Sequence, residues 1–248
     1  MKQILTILFS LTVISVSGQE IKKVKNRIEK YRWGEYIWEE YYVLKSDKKI
    51  KQGNYKKYSS GNLELDGFYN LGMKDSIWTE YFSRGKIKNQ GNYKNDKRIG
   101  VWEFYDSKSK LISKYNYDTK ELMYHDSGDD IDNIEYLART KQDIEKQELE
   151  QEPVYLGGKE EIFEVLRRNL VYPRIAREKG IEGTVLISFY VTPNGKAIFH
   201  AIEQGIGGGC DEEALRVVKL IPDNWSPGII GGKVVPVKYI QAIRYSLR

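Results

Sequence analysis

Cysteine is almost missing from this sequence: Cys210 stands alone among 248 residues, so no disulfide can close within the chain. Nor does a cysteine sit where a lipoprotein signal would need one. Stability therefore has to come from packing. Proline is confined to one end, with all six at or after Pro153. Charge of one sign is also scarce. The formal net charge of +5 divides into 13 basic against 10 acidic residues from Pro153 onward and 27 against 25 before it. No basic face is concentrated enough for nucleic acid. Long apolar runs are missing except near the start, where Lys2 precedes the stretch from Ile4 to Val16. That run is too short for the roughly twenty residues that cross a bilayer. With Val16, Ser17 and Gly18 after it, residues 1–18 read as a secretory signal peptide.

Tyrosine and tryptophan are plentiful, and they are unevenly placed. Four of five tryptophans and fourteen of nineteen tyrosines precede Pro153, so composition changes there and a domain boundary belongs nearby. Just upstream, residues 123–152 read as a charged, partly helical linker, with Ile131, Ile134, Leu137, Ala138 and Ile144 at helix-like spacing. Asp129, Asp130 and Asp132 supply calcium-type oxygens but lack the fixed glycine and distal glutamate of a recognised loop.

Residues 19–122 contain a repeat with a period of 24: Gly67, Tyr69, Trp78, Tyr81 and Ile87 recur as Gly91, Tyr93, Trp102, Tyr105 and Leu111. Tyr115 and Tyr117 continue the series, and Trp38, Tyr41, Gly53 and Tyr55 begin it. Aromatic residues two or three apart, separated by Gly-containing polar stretches, predict short antiparallel strands. One hairpin cannot bury its aromatic face alone, so hairpins in series must cover one another. The pattern resembles MORN-type repeats of the YwqK-like variety over about Tyr31 to Leu122. Its aromatic stripe reads as core or protein-contact surface.

Residues 153–248 give sharper local signals. Glu160 to Leu170 predicts an amphipathic helix whose apolar face is Ile162, Phe163, Leu166 and Leu170. Pro173 opens and Gly180 closes a second, shorter helix. Thr184 to Val191 alternates as a strand, Thr192-Pro193-Asn194-Gly195 makes a tight turn, and Ala197 to Glu203 returns. Asp211 is placed to cap a third helix running to about Leu220. The glycines before it match neither a dinucleotide nor a P-loop spacing. His200 has no second ligand at metal spacing, and no catalytic group, metal site or cofactor is expected. A long strand from Lys233 to Leu247 closes the chain.

Tyr172-Pro173 with Ala176, Gly180 and Gly183 before a strand, the Pro193-Asn194-Gly195 turn, Asp211 with Ala214, Trp225 with Pro227, Gly232 and the terminal strand together resemble the C-terminal domain of the TonB family. The resemblance implies an α+β chain: a β-hairpin array followed by a three-stranded antiparallel sheet packed on helices, with the last strand at an edge. Family members capture an extended segment of an outer-membrane transporter along that edge. The implied contact residues are Val234, Val235, Val237, Lys238, Tyr239, Ile240, Gln241, Ile243 and Tyr245. Tyr172 and Pro173 match the family's other contact region and equally suit a helix start packed on the sheet.

The expected partner is a TonB-dependent outer-membrane receptor or another envelope protein in the periplasm, with energy-coupled transport only if residues 1–18 are retained. The alternative is a periplasmic structural or adaptor protein with no transport role, docking other proteins or forming a homodimer through the repeats and the terminal strand. Nucleic acid and a small-molecule substrate are not expected. Two features of energy-transducing members are missing, the inner-membrane helix and the Pro-rich spacer. About nine repeat strands at roughly 4.8 Å each would span about 43 Å in the spacer's place.

Overall fold

The computed structural model describes residues 20–30, 36–126 and 149–247. The signal-peptide reading, the aspartate cluster and most of the predicted linker helix lie outside these residues. Nine strands come first: β1 (Ile21–Lys30), β2 (Tyr36–Leu44), β3 (Lys51–Ser59), β4 (Asn62–Asn70), β5 (Met73–Tyr81), β6 (Ile87–Lys94), β7 (Lys97–Tyr105), β8 (Leu111–Asn116) and β9 (Glu121–His125). They form one antiparallel sheet in sequence order, the up-and-down array expected of serial hairpins.

The turns repeat as the sequence does. Ser60-Gly61, Leu71-Gly72 and Asn95-Asp96 each place two successive residues at positive φ, as two-residue hairpins require. Between β5 and β6 the amide of Phe82 donates to Lys86 O, and 24 residues later Asp106 donates to Lys110 O across the next wide turn.

Each repeat carries the same indole device. Trp78 lies flat on Gly67, where an added Cβ would stand 2.2 Å from the ring, and Trp102 lies on Gly91 at 2.3 Å. Trp78 Nε1 donates to Phe68 O and Trp102 Nε1 to Asn92 O, both at 3.1 Å. Edge-to-face contacts run Tyr55–Tyr69–Trp78–Tyr93–Trp102–Tyr117, with centroids 5.1 to 6.0 Å apart. A cation seals each ring: Lys74 Nζ lies 4.4 Å from the Trp78 centroid and the Arg98 guanidinium 4.5 Å from that of Trp102.

The second unit comprises β10 (Val154–Tyr155), α1 (Gly158–Asn169), α2 (Arg174–Lys179), β11 (Gly183–Val191), β12 (Ala197–Gln204), α3 (Cys210–Val218), β13 (Trp225–Ser226), β14 (Gly228–Ile230), β15 (Lys233–Val235) and β16 (Val237–Tyr245). β12, β11 and β16 form the three-stranded antiparallel sheet in that order. Its inner face, with Val185, Ile187, Phe189 and Val191 at 1% exposure or less, packs with Ala214 and Val218 of α3, and Ile162 of α1 completes the core. The α+β class holds.

Two local expectations change. Phe163 is 59% exposed, because Ile162 is the α1 residue that enters the core. Asp211 does not cap α3, whose N-cap is Gly209 in the left-handed region. Its carboxylate instead accepts from the amides of Ile206, at 2.7 Å, and Gly207, closing the glycine loop from inside the first helical turn.

The two units touch through specific groups. Leu156, fully buried, joins the aromatic cluster of Trp102, Phe104 and Tyr115. Its carbonyl accepts from Ser113 Oγ at 2.6 Å, and Arg98 Nη1 donates to Asn224 Oδ1 at 2.8 Å. Lys88 of β6 bridges Glu80 and the α1 residue Glu161 at 2.9 and 2.8 Å. Burial opposes ionisation of Glu80, but Lys88 and Asn89 outweigh it and hold the carboxyl below its usual range.

Candidate functional site

Among the described residues β16 pairs with β11 alone, from Val191↔Val237 to Gly183↔Tyr245. One row of its backbone amides and carbonyls is consequently left at the sheet edge. Alternation fixes what each side chain does. Val237, Gln241, Ile243 and Tyr245 are buried in the core, and Tyr239 leans on Trp225 and Phe189 at 4.7 and 5.3 Å. Lys238, Ile240, Ala242 and Arg244 occupy the opposite face. Across that face Glu203 accepts from Ser188 Oγ at 2.7 Å and pairs with Lys238 Nζ at 2.8 Å. The Lys238 hydrogen bond, then Ser188, holds the Glu203 carboxyl below its ordinary range.

Side chains on the inner face anchor the strand. Tyr245 Oη donates to Cys210 O at 3.0 Å, and burial pushes this phenol upward. Gln241 is 2% exposed, and its amide donates to Ala242 O at 3.1 Å.

Val234 and Val235 stand apart from the edge. They belong to β15, which pairs with Gly228–Ile230 of β14 in a separate hairpin. Pro236 divides the predicted terminal strand, because it has no amide to donate and fixes its own φ. The outer side of the hairpin is also in use: Gln151 and Ile229 exchange backbone hydrogen bonds, and the amide of Gly232 donates to Glu150 Oε2 at 3.0 Å.

Tyr172 and Pro173 lie at the start of α2. Pro173 is its N-cap, while the Tyr172 hydroxyl donates to Ile181 O at 2.5 Å and its ring meets Tyr245 edge-on at 5.3 Å. Tyr172 thereby ties the α2 turn to the inner side of β16. His200 stacks beside Phe189 at 5.2 Å, and among the described residues no three His, Cys, Asp or Glu side chains converge as metal ligands.

The rim position of this long final strand leaves backbone groups where an extended segment could pair. Residues 168–247 match the model of the family described as Gram-negative bacterial TonB protein C-terminal. Comparison with curated proteins and with solved structures gave no match. The C-terminal part of the chain thus carries a TonB-type C-terminal domain. Among the described residues no helix is long and apolar enough to cross a membrane.

Proposed function

We propose that the protein binds an extended segment of an outer-membrane transporter or another envelope partner by adding it as a strand along β16, in the periplasm. The observation that carries this reading is the position of β16 at the rim of the sheet, within the residues that match the TonB C-terminal model. Four or five added backbone hydrogen bonds at about 1 kcal/mol each, less the cost of association, give a contact of roughly micromolar strength. Such a contact forms and releases. The contact row is Val237 to Tyr245, with Val234 and Val235 flanking it in their own hairpin.

Coupling to energised transport needs in addition that residues 1–18 stay on the mature protein as an anchor. If they are cleaved, the protein is an adaptor. A specific observation favours the adaptor: the array is fastened to the domain through Leu156, Asn224 and Glu161, which suits a rigid spacer with two docking faces.

The test is photo-crosslinking from Lys238, Ile240 or Ala242 in the native host, with Phe163 as the control position. Adducts to an outer-membrane protein from β16 alone support the reading. Equal labelling from both places sinks it. N-terminal sequencing of the mature protein separates anchor from adaptor.

A further inference from the structure

The array begins with a strand whose outer side is open. Among the described residues β1 pairs with β2 alone. The carbonyl of Glu20 accepts from the Lys45 amide at 2.8 Å, and in an antiparallel ladder every second residue bonds to the same neighbour. Lys22, Val24 and Asn26 therefore bond to β2, while Ile21, Lys23, Lys25 and Arg27 turn their amides and carbonyls away from it. Neither a proline nor a bulge interrupts this row between Ile21 and Arg27.

The residues that present this row also carry its charge. β1 holds five basic residues against one acidic. Lys23, Lys25 and Arg27, spaced two apart, lie on the face that bears Glu40 and Trp38 of β2. Lys23 and Lys25 share Glu40, at 3.4 and 2.9 Å, and their side chains remain 53% and 66% exposed. Arg27 has no carboxylate partner among the described residues, and its guanidinium rests 3.8 Å from the Tyr36 ring centroid. Three cations thus answer to a single carboxylate. Beside them an open cleft of about 420 Å³, bordered by Lys25, Asn26, Arg27, Tyr36 and Trp38, leaves room for an incoming side chain.

We propose that β1 takes an extended acidic peptide segment of another protein as one more strand of the array, with carboxylates at alternate positions facing Lys23, Lys25 and Arg27. Charge complementarity selects this occupant. A second copy of β1 would set lysine against lysine, and a neutral strand would leave the cations unanswered. The strand at the far end, β9, is a poor match for a head-to-tail contact, because its Leu122 amide already donates to Gln151 Oε1 at 3.3 Å. An anionic lipid surface would use the charges and ignore the backbone row, whereas a peptide strand uses both. This goes beyond strand addition at β16, which belongs to a different sheet and does not depend on β1.

The experiment is NMR titration of the full chain, reading backbone amides along β1 and β16. The probes are a peptide of alternating threonine and glutamate, the same peptide with lysine for glutamate, and the acidic peptide N-methylated at each glutamate. Saturable shifts and slowed hydrogen exchange at the amides of Lys23 and Lys25, but not along β16, are the expected result with the acidic peptide. The lysine peptide and the N-methylated peptide should bind at least tenfold more weakly, because one lacks the charge and the other the amides that face β1. The double variant Lys23→Gln with Arg27→Gln, changed only at exposed side chains, should also lose at least tenfold. Equal binding of the N-methylated form reduces the contact to surface charge and overturns the proposal. So does full affinity in the double variant, or absence of shifts in β1 at about 1 mM peptide. Protection along β16 alone overturns it while leaving the β16 reading intact. Phosphatidylglycerol vesicles are the last probe: sedimentation with them that needs Lys23 and Arg27, when the peptide protects no β1 amide, assigns the cations to a lipid surface instead.

Discussion

Beneath α3 the small sheet hides Val185, Ile187, Phe189 and Val191 almost completely, whereas among the described residues the nine-stranded sheet has no helix of its own to lie under. Its rings do the covering instead. Trp78 and Trp102 reach 1% and 2% exposure by lying on glycine backbone, with tyrosine edges on either side and a cation above. The domain is stabilised by a second layer, which tolerates imperfect fit at any one residue. The array is stabilised by a repeated close approach, which tolerates no added atom. Sensitivity to small substitutions should therefore be greater in the array, although its core is the more polar.

The largest expected effect tests that difference directly. Gly91→Ala places a methyl group 2.3 Å from the Trp102 ring and should destabilise the array by about 3 kcal/mol in urea unfolding. Gly180→Ala meets nothing within 4 Å and strains only a left-handed C-cap at φ +63, so about 1 kcal/mol is expected. Equal costs would remove the basis of the comparison.

The second prediction concerns the join. Leu156→Ala deletes a fully buried side chain that belongs to the domain by sequence and to the array by contact. A loss of about 2 kcal/mol is expected, at the lower end for a buried leucine because only one end of the interface opens. The calorimetric trace should then resolve into two transitions, array and domain. A single transition with unchanged width would mean that Leu156 does not couple the units.

Much of this was legible in the residues because it is periodic or local. The 24-residue spacing of glycine before tryptophan gave the array, and Gly180 with the Pro193-Asn194-Gly195 turn gave the ends of α2 and β11. The edge position of the last strand followed from the resemblance. Pro236 was visible and marks where that strand must break, which moves Val234 and Val235 into the hairpin. The pairing of Asn224 with Arg98, and of Leu156 with Ser113, lies 126 and 43 residues apart. Such contacts carry no periodic signal, and a leucine bound for another domain reads like any other leucine. Phe163 misled for a related reason, since the helix offered more apolar positions than the core could take.

The smallest effect expected is electrostatic, and it sets the two regions apart in acid. Glu103 in β7 is held at about 2 by the Lys114 ammonium, then by hydrogen bonds from Tyr105, 2.7 Å away, and Gln90. Its reference value is 4.5, so the folded carboxyl binds a proton less readily than the unfolded one. The stabilisation is thus complete above pH 4.5 and is lost as pH falls toward 2. Because the side chain is 26% exposed, solvent screening reduces the effect to about 3 °C in the array's melting temperature. In the domain, Glu203 and Glu213 are lowered by Lys238 and Arg216 first, so its transition should also fall in acid. In the Leu156→Ala background, where the two transitions are resolved, Glu103→Gln should flatten the acid limb of the array transition and leave that of the domain unchanged. If both limbs flatten together, the two units unfold as one and the contrast between them is one of packing alone.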